Sequence, residues 1–346
     1  MIFLTSAGCI FCFIPYIIRG TVTNLRSFSM FKKLFLPVGI LIAVLWALYS
    51  PAGGLFCKKY ITTHAMIVVI FLISGMQIKL DELKFDRSFL LGLPVGAVFT
   101  LILLPFAGWA ALRMMPWDPT LLAGLLVILA APPTLSSGIV MTQQAQGNMM
   151  LAIAITVLFN LAAIITLPLV LGFLLGQTES GNVDTIKMFK QLILTVMLPL
   201  SAGYIIKKSI LRSWYNKLLD YIPLTATIML SLVFFADARD HIFQISVPTV
   251  ILILGISLVL HLLSMAVPYW IGQALKMSIG DCKAMIFCGA SKSATMALAM
   301  IAIAELQQSA AVVSCLLFYA LQLFLDSALA SHAGKYAGKA LADPVI

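Results

Sequence analysis

Lys292 sits within the run Gly289-Ala290-Ser291-Lys292-Ser293-Ala294-Thr295, in the middle of an otherwise apolar stretch at about 284–304. An ammonium group at the centre of a bilayer costs at least about 2.5–3.5 kcal/mol, so this lysine requires a partner or a polar cavity. An ion pair with Asp326 or Asp237 would meet that need. So would a charge that faces a solute path, attracting an anion or exchanging a proton. A second polar run, Pro132-Pro133-Thr134-Leu135-Ser136-Ser137-Gly138, interrupts the apolar stretch 120–142. Its two prolines remove backbone donors and Gly138 weakens the turn, so the segment is expected to unwind.

Irregular backbone at membrane depth is tolerated only where it is buried in protein or lines a cavity. Freed carbonyls and hydroxyls replace the hydration shell of a cation there, and helix N-termini face anions. The candidate substrate- and ion-binding residues are therefore Pro133, Thr134, Ser136, Ser137 and Gly138 from one run, and Gly289, Ser291, Lys292, Ser293 and Thr295 from the other. Thr156 and Asn160, one helical turn apart in the next apolar stretch, complete a polar pocket or merely bond between helices. Either run alone is also what close packing leaves in a membrane helix. Two runs at matching places favour a shared site.

The elements that must position these residues follow from composition. Of 346 residues, 62% are hydrophobic and 10% charged, and the mean hydropathy is +1.06; water is not the main solvent of such a chain. Apolar runs lie at about 34–50, 62–78, 89–112, 120–142, 149–176, 191–206, 222–237, 246–272, 284–304 and 308–331. They are too long and too continuously apolar for barrel strands, so ten transmembrane helices in an all-α polytopic protein are expected. The net charge of +9 is spread over short loops, a pattern that reports orientation rather than nucleic-acid binding. With both ends of the ten-helix core inside, 15 of the 22 Lys and Arg fall on the inner side and 6 on the outer, Lys292 being the remaining one.

Six scattered cysteines and four histidines show no disulfide or metal-ligand spacing. The chain has no P-loop, no nucleophile elbow, no H-E-x-x-H and no paired intramembrane aspartates, which leaves an enzyme, and any cofactor, without support. Residues 1–30 read as an apolar extension, either an extra helix or a segment upstream of a start at Met30.

Leu34 and Gln191 open the first and sixth runs, and Phe89 and Ser246 the third and eighth; each pair is 157 positions apart. Five is odd, so two copies of a five-helix unit must lie in opposite senses in the membrane. The expected organisation is a first repeat at 31–190, a second at 191–335 and a cytoplasmic tail at 336–346. The two polar runs fall at equivalent places in the two repeats.

Three stretches resemble the bile acid:sodium symporter family, most of all its SBF-like, solute carrier family 10 member 7-like branch. They are FLISGMQIKLDEL at 71–83, APPTLSSGIVMTQQAQGN at 131–148 and FCGASKSATMALAM at 287–300. The resemblance implies panel and core domains built from the two inverted repeats, with unwound, crossing fourth and ninth helices. It also implies sodium-coupled uptake of an organic anion, with Na+ as the coupling ion. By position the sodium ligands correspond to Ser136, Ser137, Gly138, Ile139, Ala152, Thr156, Phe287 and Ser291. Phe287 stands where the family has a glutamate, Ile139 an asparagine and Ala152 a serine, which leaves side-chain oxygens at Ser136, Ser137, Thr156 and Ser291. Lys292 falls where the family often carries a neutral amide, so its ammonium could stand in for one bound cation. The function expected is a secondary transporter working by alternating access, in a membrane such as a bacterial inner membrane. The competing reading is a membrane regulator that binds a lipid or partner without transport.

Overall fold

The structure, a computed structural model, describes residues 27–61, 63–77, 87–114, 118–134, 137–176, 184–209, 221–304, 306 and 308–342. The apolar extension up to residue 26 and Ser136 lie outside these. Residues 36–346 form one compact unit. Regular structure among the described residues is helical throughout: α1 Ser27–Tyr49, α2 Ala52–Tyr60, α3 Thr63–Gln77, α4 Arg87–Val98, α5 Leu104–Leu112, α6 Pro119–Ala130, α7 Ser137–Gln144, α8 Met149–Gly176, α9 Thr185–Leu192, α10 Leu198–Ser209, α11 Tyr221–Ile242, α12 Val247–Ala274, α13 Ile279–Ala290, α14 Ala294–Ile303 and α15 Gln308–Ala342. Single π-helical turns, Phe99–Leu103 and Ile193–Met197, join α4 to α5 and α9 to α10.

Six of these stretches are long and apolar enough to cross a membrane, or seven if α1 and α2, bent by 105°, count as one. The chain is thus a polytopic membrane protein. The run expected at 149–176 is the helix α8, whose 28 residues span about 42 Å at 1.5 Å per residue, more than the roughly 30 Å of hydrocarbon. The short helix α2 has no counterpart among the expected runs, because a nine-residue segment carrying Lys58 and Lys59 gives no span-length signal.

Polar caps mark the helix starts. Asp118 Oδ1 accepts from the Thr120 amide at 2.8 Å to open α6. Asn148 Oδ1 accepts from the amides of Met150 and Leu151 in the first turn of α8, while its Nδ2 donates to Asp281 at 2.6 Å. Asp281 itself belongs to a capping box with Ser278 at the start of α13. These bonds satisfy orphan amides that lipid could not and tie the α7–α8 turn to the α12–α13 turn.

The two interrupted helices occupy the middle of the unit. Every residue of α6 from Leu121 to Ala130, and all of α14 except Ala302, is buried. A helix that is apolar all round belongs inside a protein, and α6 packs along α15 while α13 packs against α8 and α12. The tightest crossing joins α3 and α10. A Cβ on Gly75 would collide with the Leu200 carbonyl and one on Gly203 with the Leu72 carbonyl, so each helix gives up a side chain where the other's backbone passes.

Candidate functional site

Each interruption is extended and short. Ala131, at the end of α6, has ψ 144°; Ser291 and Ser293 have ψ 123° and 106°. The second break is only Ser291–Ser293, so Gly289 is the penultimate residue of α13 and Thr295 lies in the first turn of α14. In the first, Ser137 and Gly138 already belong to α7. The two extended segments meet: Pro133 and Lys292 form an antiparallel bridge, and the Ser293 amide donates to Pro132 O at 2.9 Å. Pro132 and Pro133 have no amide hydrogen, so these two residues can only accept.

The remaining freed groups are paired one by one, as burial demands. Asn160 Nδ2, on α8, donates to Pro133 O at 2.9 Å and to Thr156 O at 2.7 Å. Thr100 Oγ1, in the π-helical turn, donates to Gly289 O at 3.1 Å. Gln322 on α15 holds Lys292 from both sides, its Oε1 accepting the Lys292 amide at 2.7 Å and its Nε2 donating to Lys292 O at 3.0 Å.

The Lys292 side chain is wholly buried. Its Nζ donates to Thr100 O, in the π-helical turn, at 2.9 Å and to Ala131 O, at the end of α6, at 3.1 Å. Neither carboxylate considered above pairs with it. Asp326 lies 2.8 Å from His261 Nε2 and 2.7 Å from Ser291 Oγ, and Asp237 binds Lys58 at 2.7 Å near the surface. The Lys292 nitrogen is therefore held by two backbone carbonyls rather than by a carboxylate.

A cavity of about 40 Å³ lies beside the crossover. Thr134, Ser137, Ser293 and Thr295 line it from the two breaks, Ser74 from α3 and Thr227 from α11, with Tyr319 of α15 and the apolar residues Ile70, Phe71, Pro223 and Leu224 closing the wall. Thr134 and Ser137 hydroxyls bond to one another, and the Gly138 amide donates to Thr134 Oγ1 at 3.1 Å. The Ser293 hydroxyl accepts from the Met296 amide at 3.3 Å, capping α14. Both α7 and α14 thus begin at this cavity, presenting helix N-termini to it.

The structure accordingly brings Thr134, Ser137, Ser293 and Thr295 together around one space. It puts Pro133, Gly138, Gly289 and Lys292 into the crossover itself. Thr156 and Asn160 lie beneath the first break, and Ser291 turns toward Asp326; none of the three lines the cavity. Thr156 Oγ1 donates to Ala152 O at 2.8 Å, and Ser291 Oγ lies 2.6 Å from Phe287 O. Asn160 Oδ1 is a buried acceptor without a partner.

Thr100, Gln322 and His261 escaped the sequence reading. Thr100 is a single threonine in an apolar run, indistinguishable there from a packing residue, and His261 is one of four histidines without metal-ligand spacing. Gln322 did leave a signal: a carboxamide inside an apolar run, one turn before Asp326. Ser74 and Thr227 could be found only by folding α3 and α11 against the breaks.

Comparison with known proteins identifies relatives of this chain. The family model of the SBF-like CPA transporter family (DUF4137) matches residues 34–335. The chain is 25% identical over 322 residues to sodium/bile acid cotransporter 7 of Danio rerio, covering 86% of this chain and 93% of that protein. With the Mus musculus protein of the same name it is 26% identical over 321 residues, covering 88% and 94%. It is 31% identical over 176 residues to the chloroplastic "Probable sodium/metabolite cotransporter BASS4" of Oryza sativa subsp. indica, where the match takes in 51% of this chain but only 41% of the relative. The matched region contains both interrupted helices and every residue of the crossover, and the chain belongs to the SBF-like CPA transporter family, a family of transporters rather than enzymes.

Proposed function

We propose that the protein is a secondary transporter that moves a small organic anion across the membrane by alternating access around the crossover. The observation that carries this reading is the cavity where two half-helices begin, lined by hydroxyls from both breaks and from α3 and α11. Amide dipoles at two helix N-termini favour an anion, and the hydroxyls orient it. About 40 Å³ holds roughly three waters at about 10–15 Å³ each. An organic anion therefore enters only when the wall formed by α3 and α11 swings away from the breaks, which is the motion alternating access requires.

In this reading each interrupted pair, α6–α7 and α13–α14, is one crossing. The described helices then supply ten spans in two inverted five-helix repeats, 31–190 and 191–335, with both ends of the core in the cytoplasm. The panel comprises α1–α3, α9–α10 and α11, and the remaining helices form the core. Equal lengths support the repeat: α6 and α13 are each 12 residues before their breaks.

The names of the relatives support Na+ as the coupling ion. Thr156 and Ser137 donate to or share a proton with protein oxygens, which leaves hydroxyl lone pairs free to ligate a cation. They, with Ser136 and Ser291, would hold it, and a bound ion would supply positive charge beside the anion. Lys292 takes the place of a further cation, since its ammonium already satisfies the two carbonyls.

Purified protein in liposomes tests the assignment. Uptake of an anion such as taurocholate, driven by a sodium gradient and abolished when sodium is replaced by choline, is expected. A protein that only binds a lipid or partner shows no gradient-driven uptake with any anion of a broad panel, and that result would sink the proposal.

A further inference from the structure

We propose that Gln322 and Asp326, one helical turn apart on α15, are positioning residues of the crossover. They hold the second break extended, fix the direction in which Lys292 leaves it, and thereby aim the N-terminus of α14 at the cavity. The functional consequence rests on the transport reading above; the geometric part stands independently of it.

An isolated extended residue in a protein interior needs a neighbour with one donor and one acceptor at strand spacing. The bridge to Pro133 does not supply them, because its bond runs between neighbouring residues, Ser293 N to Pro132 O, so the amide and carbonyl of Lys292 itself face away from Pro133. The Gln322 carboxamide supplies both groups, accepting from the Lys292 amide at 2.7 Å and donating to its carbonyl at 3.0 Å. It does with a side chain what an adjacent β-strand does with its backbone. With both peptide groups of Lys292 held, the side chain leaves the break in one direction, toward Thr100 O and Ala131 O.

One turn along the same face, Asp326 Oδ2 lies 2.7 Å from the hydroxyl of Ser291, the residue before, while its Oδ1 meets His261 of α12 at 2.8 Å. The ring of His261 is fixed in turn by edge contact with Phe318. Gln322, Asp326 and His261 are all buried and none lines the cavity. They touch the break, not the space a solute would occupy.

The first break is held differently. Asn160 on α8 reaches Pro133 O with its Nδ2, the counterpart of one arm of Gln322. Its Oδ1 has no partner, because residue 133 is a proline and offers no amide hydrogen. The second break is thus gripped with two arms and the first with one, and the lysine resides on the firmly held segment.

The test uses the full chain in phosphatidylcholine–phosphatidylglycerol liposomes, read by hydrogen–deuterium exchange and by sodium-driven taurocholate uptake. In Gln322→Leu, both arms are lost. Amides at 291–296 are expected to exchange about tenfold faster, with protection elsewhere unchanged, and the KM for taurocholate to rise about tenfold at a Vmax within twofold of the parent. Gln322→Glu keeps the acceptor for the Lys292 amide and is expected to show only about a threefold change in each; it decides the question alone if the leucine variant does not fold. Unchanged exchange at 291–296, a loss of protection spread evenly over all helices, or faster exchange with an unaltered KM would overturn the proposal. If the parent protein takes up no taurocholate, the transport reading fails for that anion, and the exchange result by itself upholds or refutes the clamp.

Discussion

Replacing Lys292 by methionine separates a lysine that works from one that merely props up the fold. The substitution keeps an unbranched chain and removes the ammonium, leaving Thr100 O and Ala131 O, bonded at 2.9 and 3.1 Å, as buried acceptors without donors. Each unsatisfied carbonyl costs about 1–3 kcal/mol, so about 2–6 kcal/mol is lost. Against this, the parent carries a wholly buried ammonium with no carboxylate bonded to it, and burying such an ion costs several kcal/mol. The two effects are of like size and opposite sign. The net change is expected to stay within about 2 kcal/mol, or about 5 °C in Tm at roughly 2–4 °C per kcal/mol for a chain of this size. Anion uptake, in contrast, should fall at least about tenfold, or persist only with a steeper dependence on sodium as a free cation takes the vacated place. Thermal unfolding in detergent and uptake into proteoliposomes at several sodium concentrations are the measurements. Uptake and ion dependence identical to the parent's would refute the reasoning, as would a fall in Tm beyond about 10 °C, which would make the lysine a structural pillar.

Gly75→Val should drive α3 and α10 apart, since the added side chain meets the Leu200 backbone and not a flexible tip; a loss of about 3 kcal/mol, seen as a lowered Tm, is expected. Asn160→Leu leaves Pro133 O without its donor and should cost about 1–3 kcal/mol, with faster exchange confined to the start of α7 and the middle of α8. At the start of α6 the Thr120 hydroxyl holds the Asp118 carboxyl below its usual value. A depressed carboxylate stabilises the fold above its unfolded pKa, and that stabilisation disappears as pH falls through the folded value. Asp118→Ala should therefore cost about 1 kcal/mol near neutrality and progressively less as the pH falls below the ordinary aspartate range, as thermal melts across an acid pH series would reveal.

The sequence by itself determined the solvent, the helices and the two weak points. Long apolar runs leave no alternative to helices in lipid, because only a helix satisfies its own backbone there, and α8 could be read to its ends. Paired prolines and a lysine amid small residues marked where two of those helices had to open, since each is incompatible with an unbroken apolar helix. Tertiary structure decided what the open segments do. Lys292 had carboxylates within the chain to choose from, yet it lies against two carbonyls, one in a π-helical turn that has no sequence signature and one at the end of α6, which only the packing of the helices brings within its reach. Likewise Gln322 and Asp326 come to the break only because α15 packs beside it, and Ser74 and Thr227 meet the cavity only because α3 and α11 do. Hydrogen-bond partners separated by 30 to nearly 200 positions are set by which helices touch, and that is a property of the packed molecule rather than of any local run of residues.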